Sequence, residues 1–433
     1  MSKIFKILRI SHIFTPDLAG LIIDRISGFR ELSFDEQTTQ LANLNIDNCE
    51  ALSRELRSFG HKVYDVYFDL EIPQKKWAME NDVSYEESGW VNQILLKQIE
   101  TIRPDILFFQ KTTQLPRSVL DTLKKRFPFI RKVVLHTAYL GNLGDLGYAD
   151  LLLVGTPSLV QRFQREGYRP RLFYHYFDPS IFEKIQKESL EFNWDVTFLG
   201  SSGFGGGYLH ADRYETLKFL MGKIDIEMWL SEYHVFPNSM NLKAKVRAFG
   251  KKGLKSLSDK ILFLISRSRF ISKSIAILAN ECLRESEFHR AGRALPSIPL
   301  RDLFPNRCHS AVMGFEYYRV MAQSRISFTK GCDNIFDGKS SKKGNIGALR
   351  LFEATGLGSC LVADTGPNMS ELFEEGKEII TYTTKEDAVE KIKYLLDNKE
   401  KISEIAEAGK QRTFRCHLAK NRAQEFNDII NSD

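Results

Sequence analysis

The chain has 433 residues, 43% of them hydrophobic and 27% charged, with a formal net charge of +6. That composition excludes a disordered or fibrous chain, and the charge is too mild for this size to identify a partner by itself. The length predicts two domains, because single cores stop growing near about 250–300 residues. Six cysteines stand far apart (Cys49, Cys282, Cys308, Cys332, Cys360, Cys416), with no CxxC pair and no histidine cluster. They read as free thiols of a reducing, cytoplasmic compartment and argue against a zinc site. The opening MSKIFKILRIS is basic and then apolar, but its apolar run is short for a signal peptide. No stretch approaches about 18 apolar residues, so no membrane span is expected.

In chain order, Phe5 to Ser11 reads as a first strand, followed by a loop with Pro16, Asp17 and Gly20. Leu41, Leu44, Ile46, Leu52 and Leu56 recur at helical spacing, which predicts one helix over 41–59 that stops at Gly60. His61 to Asp69 is a second strand, Trp90 to Ile102 an amphipathic helix, and Asp105 to Gln110 a strand apolar enough to be covered on both faces. Arg131 to Thr137 and Asp150 to Thr156 repeat the pattern. Thr156 then caps a helix with Pro157 at its first position, and Gly167 ends it. Arg171 to Phe177 is the last strand of this half. Strands and helices alternating at this spacing imply a parallel, doubly wound sheet.

After a polar linker around Lys184 to Asn193 the rhythm restarts. Trp194 to Ser201, WDVTFLGS, is a strand that runs into the glycine-rich loop Gly203 to Gly207. Asp212 and Glu215 read as a capping box for a helix ending near Gly222. Ile224 to Leu230, Ser324 to Lys330, Ser359 to Asp364 and Glu378 to Tyr382 supply further strands, and Thr384 with Asp387 caps the helix before Asn398. Between Asn241 and Arg293 the alternation breaks. That segment is helical in pattern and rich in lysine and arginine (Lys243, Lys245, Arg247, Lys251, Lys252, Lys255, Lys260, Arg267, Arg269, Lys273), with Leu254, Leu257, Ile261, Leu264 and Ile265 near helical spacing. It reads either as an amphipathic element for an anionic membrane face or an anionic acceptor, or as a solvated hairpin packed on the second domain. Nucleic acid is the weaker reading, because aromatic interleaving is sparse.

The stretch from Gly344 to Glu375 carries the chemistry. A helix over Ile346 to Leu357 bears Arg350 and Glu353 in an apolar run, and Gly356 and Gly358 stop it. A strand follows, then the turn Thr365-Gly366-Pro367-Asn368, then a new helix. A strand emptying into a glycine turn and a helix N-terminus suits phosphate. A carboxylate one helix away, held among apolar neighbours, can accept both hydroxyls of a ribose. A nucleotide-bearing ligand is the expectation.

Arg350-Leu351-Phe352-Glu353-Ala354-Thr355-Gly356, followed by Asn368 and Glu371-Leu372-Phe373, resembles the C-terminal domain of the CgeB-like (spore-protein-type) glycosyltransferases, GT-B enzymes related to family 4. Gly314-Phe315-Glu316-Tyr317-Tyr318 with Ser324-Arg325-Ile326, WDVTFLGS followed by Arg213, and in the first half Gln74 to Glu80, Gln98 and Pro104 to Leu107 are similar to that family too. The resemblance implies two Rossmann-like domains facing a cleft. Acceptor binding falls to residues 1–185 and nucleotide-sugar binding to 186–410, with 241–293 as the basic insertion and a closing helix over 411–433 that packs back on the first domain. It places Glu353 on the donor ribose, and it puts Asn345 where many family 4 relatives carry a second glutamate near the sugar.

Further donor-side candidates are Lys330 and Arg325, as positive charge for a leaving diphosphate, and Arg350, which either counters the diphosphate or orients Glu353. Gly200, Ser201 and Ser202 end a strand at the cleft, and Arg213 follows them; Gly366, Pro367 and Asn368 form the second turn. On the acceptor side His136, at a strand's C-terminal end, is a general base, a donor to the sugar, or a satisfied core histidine; His12 and Asp17 are its rivals. No DxD-type signature stands out, and the resemblance implies that no cofactor or metal is essential. The expected function is transfer of a sugar from a nucleotide diphosphate to a glycan or glycolipid hydroxyl, in surface polysaccharide or glycolipid synthesis, at the cytoplasmic face of a membrane and without nucleic acid. A non-catalytic sugar-nucleotide or glycan-binding protein and a nucleotide-sugar epimerase are the alternatives.

Overall fold

A computed structural model describes residues 3–11, 23, 26–45, 49–110, 115, 117–138, 145–188, 190–205, 208–231, 254, 257–267, 275, 279, 282–283, 286, 289–290, 294–331, 335–336, 341–342, 347 and 349–432. The first half builds a six-stranded sheet from β1 (Lys6–Ser11), β2 (Lys62–Tyr67), β3 (Ile106–Gln110), β4 (Lys132–Thr137), β5 (Leu151–Val154) and β6 (Pro170–Leu172). Their order is β2-β1-β3-β4-β5-β6, and every pairing is parallel. Its helices are α1 (Phe34–Asn43), α2 (Cys49–Ser58), α3 (Glu71–Glu80), α4 (Trp90–Ile102), α5 (Pro157–Arg165) and α6 (Pro179–Gln186). Strand residues alternate between two apolar layers: Leu8, Ile10, Leu107 and Phe109 face one, and Ile7, Ile106 and Phe108 the other. This double coverage explains why β5 is apolar throughout and β3 is apolar up to its last residue, Gln110.

The second half repeats the plan with β7 (Trp194–Ser201), β8 (Glu227–Ser231), β9 (Cys308–Ser310), β10 (Ser324–Thr329), a two-stranded ribbon of β11 (Ile335–Phe336) and β12 (Ser341–Lys342), β13 (Cys360–Asp364) and β14 (Ile380–Tyr382). The six-stranded sheet runs β14-β13-β10-β7-β8-β9, again all parallel. Strand order reverses between β7 and β10, so the C-terminal ends of these two strands form the switch point where ligands collect in such sheets. The helices are α7 (Tyr208–Met221), α8 (Asp259–Arg267), α9 (Phe315–Ala322), α10 (Leu349–Gly356), α11 (Lys385–Asp397), α12 (Lys399–Cys416) and α13 (Ala419–Ser432). Among them, α7 and α11 cover one face of the sheet, and α9 and α10 the other.

The chain passes between the sheets twice at one place. Phe177 N–H donates to His417 O at 2.8 Å and Ala419 N–H to Phe177 O at 3.0 Å, a short parallel pairing of Phe177 with Leu418. Beyond that crossing, α13 lies on the first sheet, where Ala419, Ala423, Phe426 and Ile430 join the layer of Phe108, Val134 and Phe173.

Several sequence expectations are corrected. The helix expected over 41–59 is two helices, α1 and α2; Asn45 adopts a left-handed φ of 50°, which ends the first. Local apolar spacing continued across the break, and spacing alone does not register a change of axis. The strand expected over Arg171 to Phe177 ends at Leu172, because the chain leaves the sheet edge to cross to the second half. Asp212 does not cap a helix: α7 begins at Tyr208, which puts Asp212 in its second turn, where its carboxylate pairs with Lys330 Nζ at 3.2 Å. Thr384 does cap α11, accepting from Asp387 N–H at 3.1 Å. Thr156 and Pro157 open α5, although Thr156 Oγ1 pairs with Ser158 Oγ instead of a backbone N–H.

Candidate functional site

The switch point gathers much of the predicted donor side. α10 is short and apolar on both flanks, so Glu353 is carried into the interior and is only 3% exposed. A buried carboxylate needs donors. Two tyrosines of α9 supply them: Tyr317 Oη donates to Glu353 Oε2 at 2.9 Å and Tyr318 Oη to Oε1 at 3.2 Å. Burial first and then the Glu353 carboxylate hold the Tyr317 phenol well above its usual range, with Arg350 acting in the opposite sense. Tyr317 therefore stays protonated and keeps donating.

Arg350 sits one helical turn before Glu353 and lies against the end of β7. A Cβ placed on Gly200 would come within 2.5 Å of Arg350 Nη2 and 2.9 Å of its Cζ. Gly200 also has φ of 147°, where a side chain is strained. The guanidinium thus rests on bare backbone at the switch point, and its buried Nε–H has no hydrogen-bond partner. An orphaned cationic donor over a glycine suits an anionic ligand oxygen.

The other donor-side candidates are held more tightly than the sequence implied. Arg213, 8% exposed, donates through Nε to Lys330 O at 3.0 Å and through Nη1 to Ser201 O at 3.5 Å, which staples the ends of β7 and β10 together. Lys330 Nζ lies between two carboxylates, Asp212 at 3.2 Å and Asp364 at 3.6 Å. These residues line a cavity of about 340 Å³ on the α7–α11 side, bounded also by Tyr382 and Lys385. The hydroxyls of Ser201 and Ser202 accept from Gly203 N–H (3.2 Å) and Phe204 N–H (3.1 Å), closing the turns that shape the loop after β7. Arg325 opens β10 instead of ending it; its guanidinium pairs with Asp195 at 3.1 Å and stacks over Phe192. It stands at the far end of the sheet from the switch point.

The Gly366-Pro367-Asn368 turn faces the first half. Asn368, 2% exposed, donates through Nδ2 to Tyr174 Oη at 3.0 Å, and Tyr174 in turn donates to Glu371 at 3.3 Å. A second contact between the halves lies beside α10, where a Cβ on Gly347 would fall 2.4 Å from Gly155 O and 2.8 Å from Thr156 Cγ2. The chain just before α10 therefore abuts the C-terminal end of β5.

His136 lies one residue before the end of β4, in register with Gln110 of β3. It is 5% exposed, in an aromatic cage with Phe173 (5.3 Å between centroids), Phe108 (6.5 Å) and the ring of His175 (5.7 Å). Gln110 is itself oriented by the fully buried Arg9, whose Nη2 donates to Gln110 Oε1 at 2.6 Å and Nη1 to Ser53 Oγ at 2.8 Å, with Asp65 at 3.6 Å. His12, Asp17 and Asn345 lie outside the described residues. Among the described residues no group of three or more His, Cys, Asp or Glu is placed to hold a metal ion.

The sequence reading missed Tyr317 and Tyr318 as partners of Glu353, Tyr174 and Gly347 as contacts between halves, and His175 as a neighbour of His136. The pair of adjacent tyrosines in GFEYYR was the one available signal. Pairing them with Glu353, 35 and 36 residues on, needs the packing of α9 on α10.

Residues 276–428 match the family model described as glycosyl transferase-like. No curated protein matches the chain. Among solved structures, HepE of Anabaena in complex with UDP and glucose is 12% identical, with TM-score 0.51 over 99% of this chain and 100% of that one. Sucrose-phosphate synthase of Thermosynechococcus elongatus is 9% identical, with TM-score 0.50 over 99% and 98%. A glycosyltransferase of Rickettsia africae is 11% identical, with TM-score 0.51 over 99% and 98%. The fold is GT-B. At these identities the likeness is one of architecture, and it matches the two parallel six-stranded sheets. In this GT-B chain the switch point of the second sheet, with Gly200, Arg350 and Glu353, is the candidate site.

Proposed function

We propose that this chain is a glycosyltransferase that moves a sugar from a nucleoside diphosphate to an acceptor hydroxyl. The observation that carries the reading is the Glu353 carboxylate, buried beneath a switch point and held by two tyrosine hydroxyls, with the unpartnered Arg350 Nε–H beside Gly200. Glu353 would accept the ribose hydroxyls and Arg350 would meet the diphosphate. The bond from the anomeric carbon to the phosphate oxygen breaks, the acceptor oxygen bonds to that carbon, and the acceptor proton leaves to a base. His136 with His175, at the strand ends of the first sheet, is the proposed place for that proton. Rate enhancement would come from positioning both substrates and stabilising the departing diphosphate. UDP is the first nucleotide to try, because HepE of this fold was solved with UDP-glucose. In this reading residues 1–185 bind the acceptor and 186–410 the donor, in surface polysaccharide or glycolipid synthesis.

The test is thermal stabilisation by a panel of nucleoside diphosphates and by UDP-glucose, with and without EDTA, on the wild type and Glu353→Gln. A shift selective for one nucleotide in the wild type, reduced at least tenfold in apparent affinity by Glu353→Gln, is expected. An equal shift in both proteins sinks the assignment of Glu353. A non-catalytic binding protein on the same fold is the second reading. It is favoured by Lys330, whose charge is already answered by Asp212 and Asp364. Selective nucleotide binding without donor hydrolysis or transfer to any acceptor would decide for it.

A further inference from the structure

The basic segment of 241–293 is not used by the site above. It holds thirteen lysines and arginines against four acids, so it carries +9 while the whole chain carries +6, and the rest of the chain sums to −3. Positive charge in this protein is a local property.

Within that segment α8 is apolar on two sides. Its inner side is satisfied: Leu262, 2% exposed, packs with Ala279, Cys282 and Leu283 in a small separate core, joined by Leu254, Leu257 and Ile265. Its outer side carries Leu264 at 68% exposure, Phe263 at 47% and Ile261 at 45%, and Ile275 stands out at 44%. At about 100° per residue Phe263, Lys260, Leu264 and Ile261 fall in one arc of about 160°, opposite Leu262. The acid of the helix, Asp259, is already paired with Arg290 at 2.9 Å and accepts from Ser286. Scattered single exposed apolar residues need no explanation, whereas three on one nine-residue helix, in the most basic part of the chain, form a patch.

We infer that α8 is a docking face for an anionic lipid bilayer, with Ile261, Phe263 and Leu264 entering the headgroup boundary, Lys260 among them, and the net positive charge of the 241–293 sequence drawing the face to lipid charge. Charge complementarity selects the occupant, since a second copy of this chain would bring the same +9 against itself. The short helix gives reversible surface attachment and spans nothing; no helix among the described residues is long and apolar enough to cross a membrane. The inference does not depend on sugar transfer, so nucleotide binding measured in parallel separates its failure from failure of the proposed function.

The experiment is co-sedimentation of the full chain with vesicles of phosphatidylcholine alone and with about one-third phosphatidylglycerol, at low and high salt. Expected is at least tenfold stronger partitioning to the anionic vesicles, several-fold loss on raising salt, and roughly tenfold loss in Ile261→Ser/Leu264→Ser with its thermal midpoint unchanged. If that double variant does not fold, Leu264→Trp serves instead: quenching of its fluorescence by brominated lipid is expected, and none overturns the inference. Equal binding to both vesicle types, no binding, or wild-type binding by the double variant overturns it as well. So does self-association that the double variant abolishes, or tighter binding to random duplex DNA than to anionic vesicles.

Discussion

At the scale of single residues, the candidate site is a small set of polar groups made costly to misplace. Glu353 is buried with both oxygens engaged by tyrosine hydroxyls, and Arg350 is braced on a glycine. A side chain at Gly200 would collide with the guanidinium and strain the backbone at once. Gly200→Ala is therefore expected to cost about 1–3 kcal/mol of stability in denaturant unfolding and to weaken nucleotide binding more than tenfold by moving Arg350. Wild-type nucleotide affinity in a folded Gly200→Ala protein would separate Arg350 from the ligand. Glu353 and Arg350 were legible in the sequence because an apolar run interrupted by two charges is conspicuous. Their partners were not, since Tyr317 and Tyr318 come from another helix and Gly200 from another strand. The setting of Lys330 was hidden for the same reason: its position at a strand end was readable, and the two carboxylates that hold it were not.

At the scale of elements, α10 packs on both crossing segments of the chain. A Cβ on Gly356 would lie 2.4–2.7 Å from the ring of Phe177, so this helix packs there through bare backbone. His417, at the end of α12, packs on Phe352 and Phe373 and donates from Nε2 to Leu372 O at 2.9 Å. Burial pushes its pKa from the ordinary 6.5 down to about 4; the Leu372 carbonyl opposes this, and Arg422, Arg412 and Arg415 reinforce it. The sign follows directly. The unfolded chain binds the proton near pH 6.5 and the folded chain only near 4, so this contribution is complete above about 6.5 and is lost as pH falls towards 4. Over that window His417 accounts for about 3 kcal/mol of acid destabilisation. His417→Gln is expected to flatten the fall of the thermal midpoint between pH 6.5 and 4; an unchanged slope would remove His417 as its source. Elements whose signals are local, such as the Thr384 cap of α11, were readable. Asp212 had the same local signature but was claimed by Lys330 across the sheet.

At the scale of the whole molecule, the end of the chain completes the first half. Phe426 is fully buried and stacks on Phe108 with centroids 5.1 Å apart and planes 14° apart. His61 fixes the same helix: its Nδ1 accepts from Phe5 N–H, so its Nε2–H donates to Asn427 Oδ1 at 3.0 Å. Residues at opposite ends of the sequence thus share one core. Phe426→Ala is expected to lose about 3–5 kcal/mol in denaturant unfolding, with the loss reported by probes in the first half. A loss below 1 kcal/mol would mean that α13 is peripheral. Two crossings at one point join the halves, Phe177, Ile181 and Ile185 pack into the core of the second, and Asn368–Tyr174 and Gly347–Gly155 add further contacts.

The sequence by itself determined the alternation of strands and helices and the parallel character of both sheets, and it marked Glu353 and Arg350 as candidates, because these signals are carried by local spacing and residue type. The tertiary structure decided what each charge meets. Arg213 staples two strand ends, Lys330 answers two carboxylates, Arg325 lies at the wrong end of its strand, and Asn368 turns to the first half. The reason is physical: a charge is neutralised by whatever the fold brings within about 3–4 Å, and in a doubly wound sheet those neighbours come from strands distant in sequence.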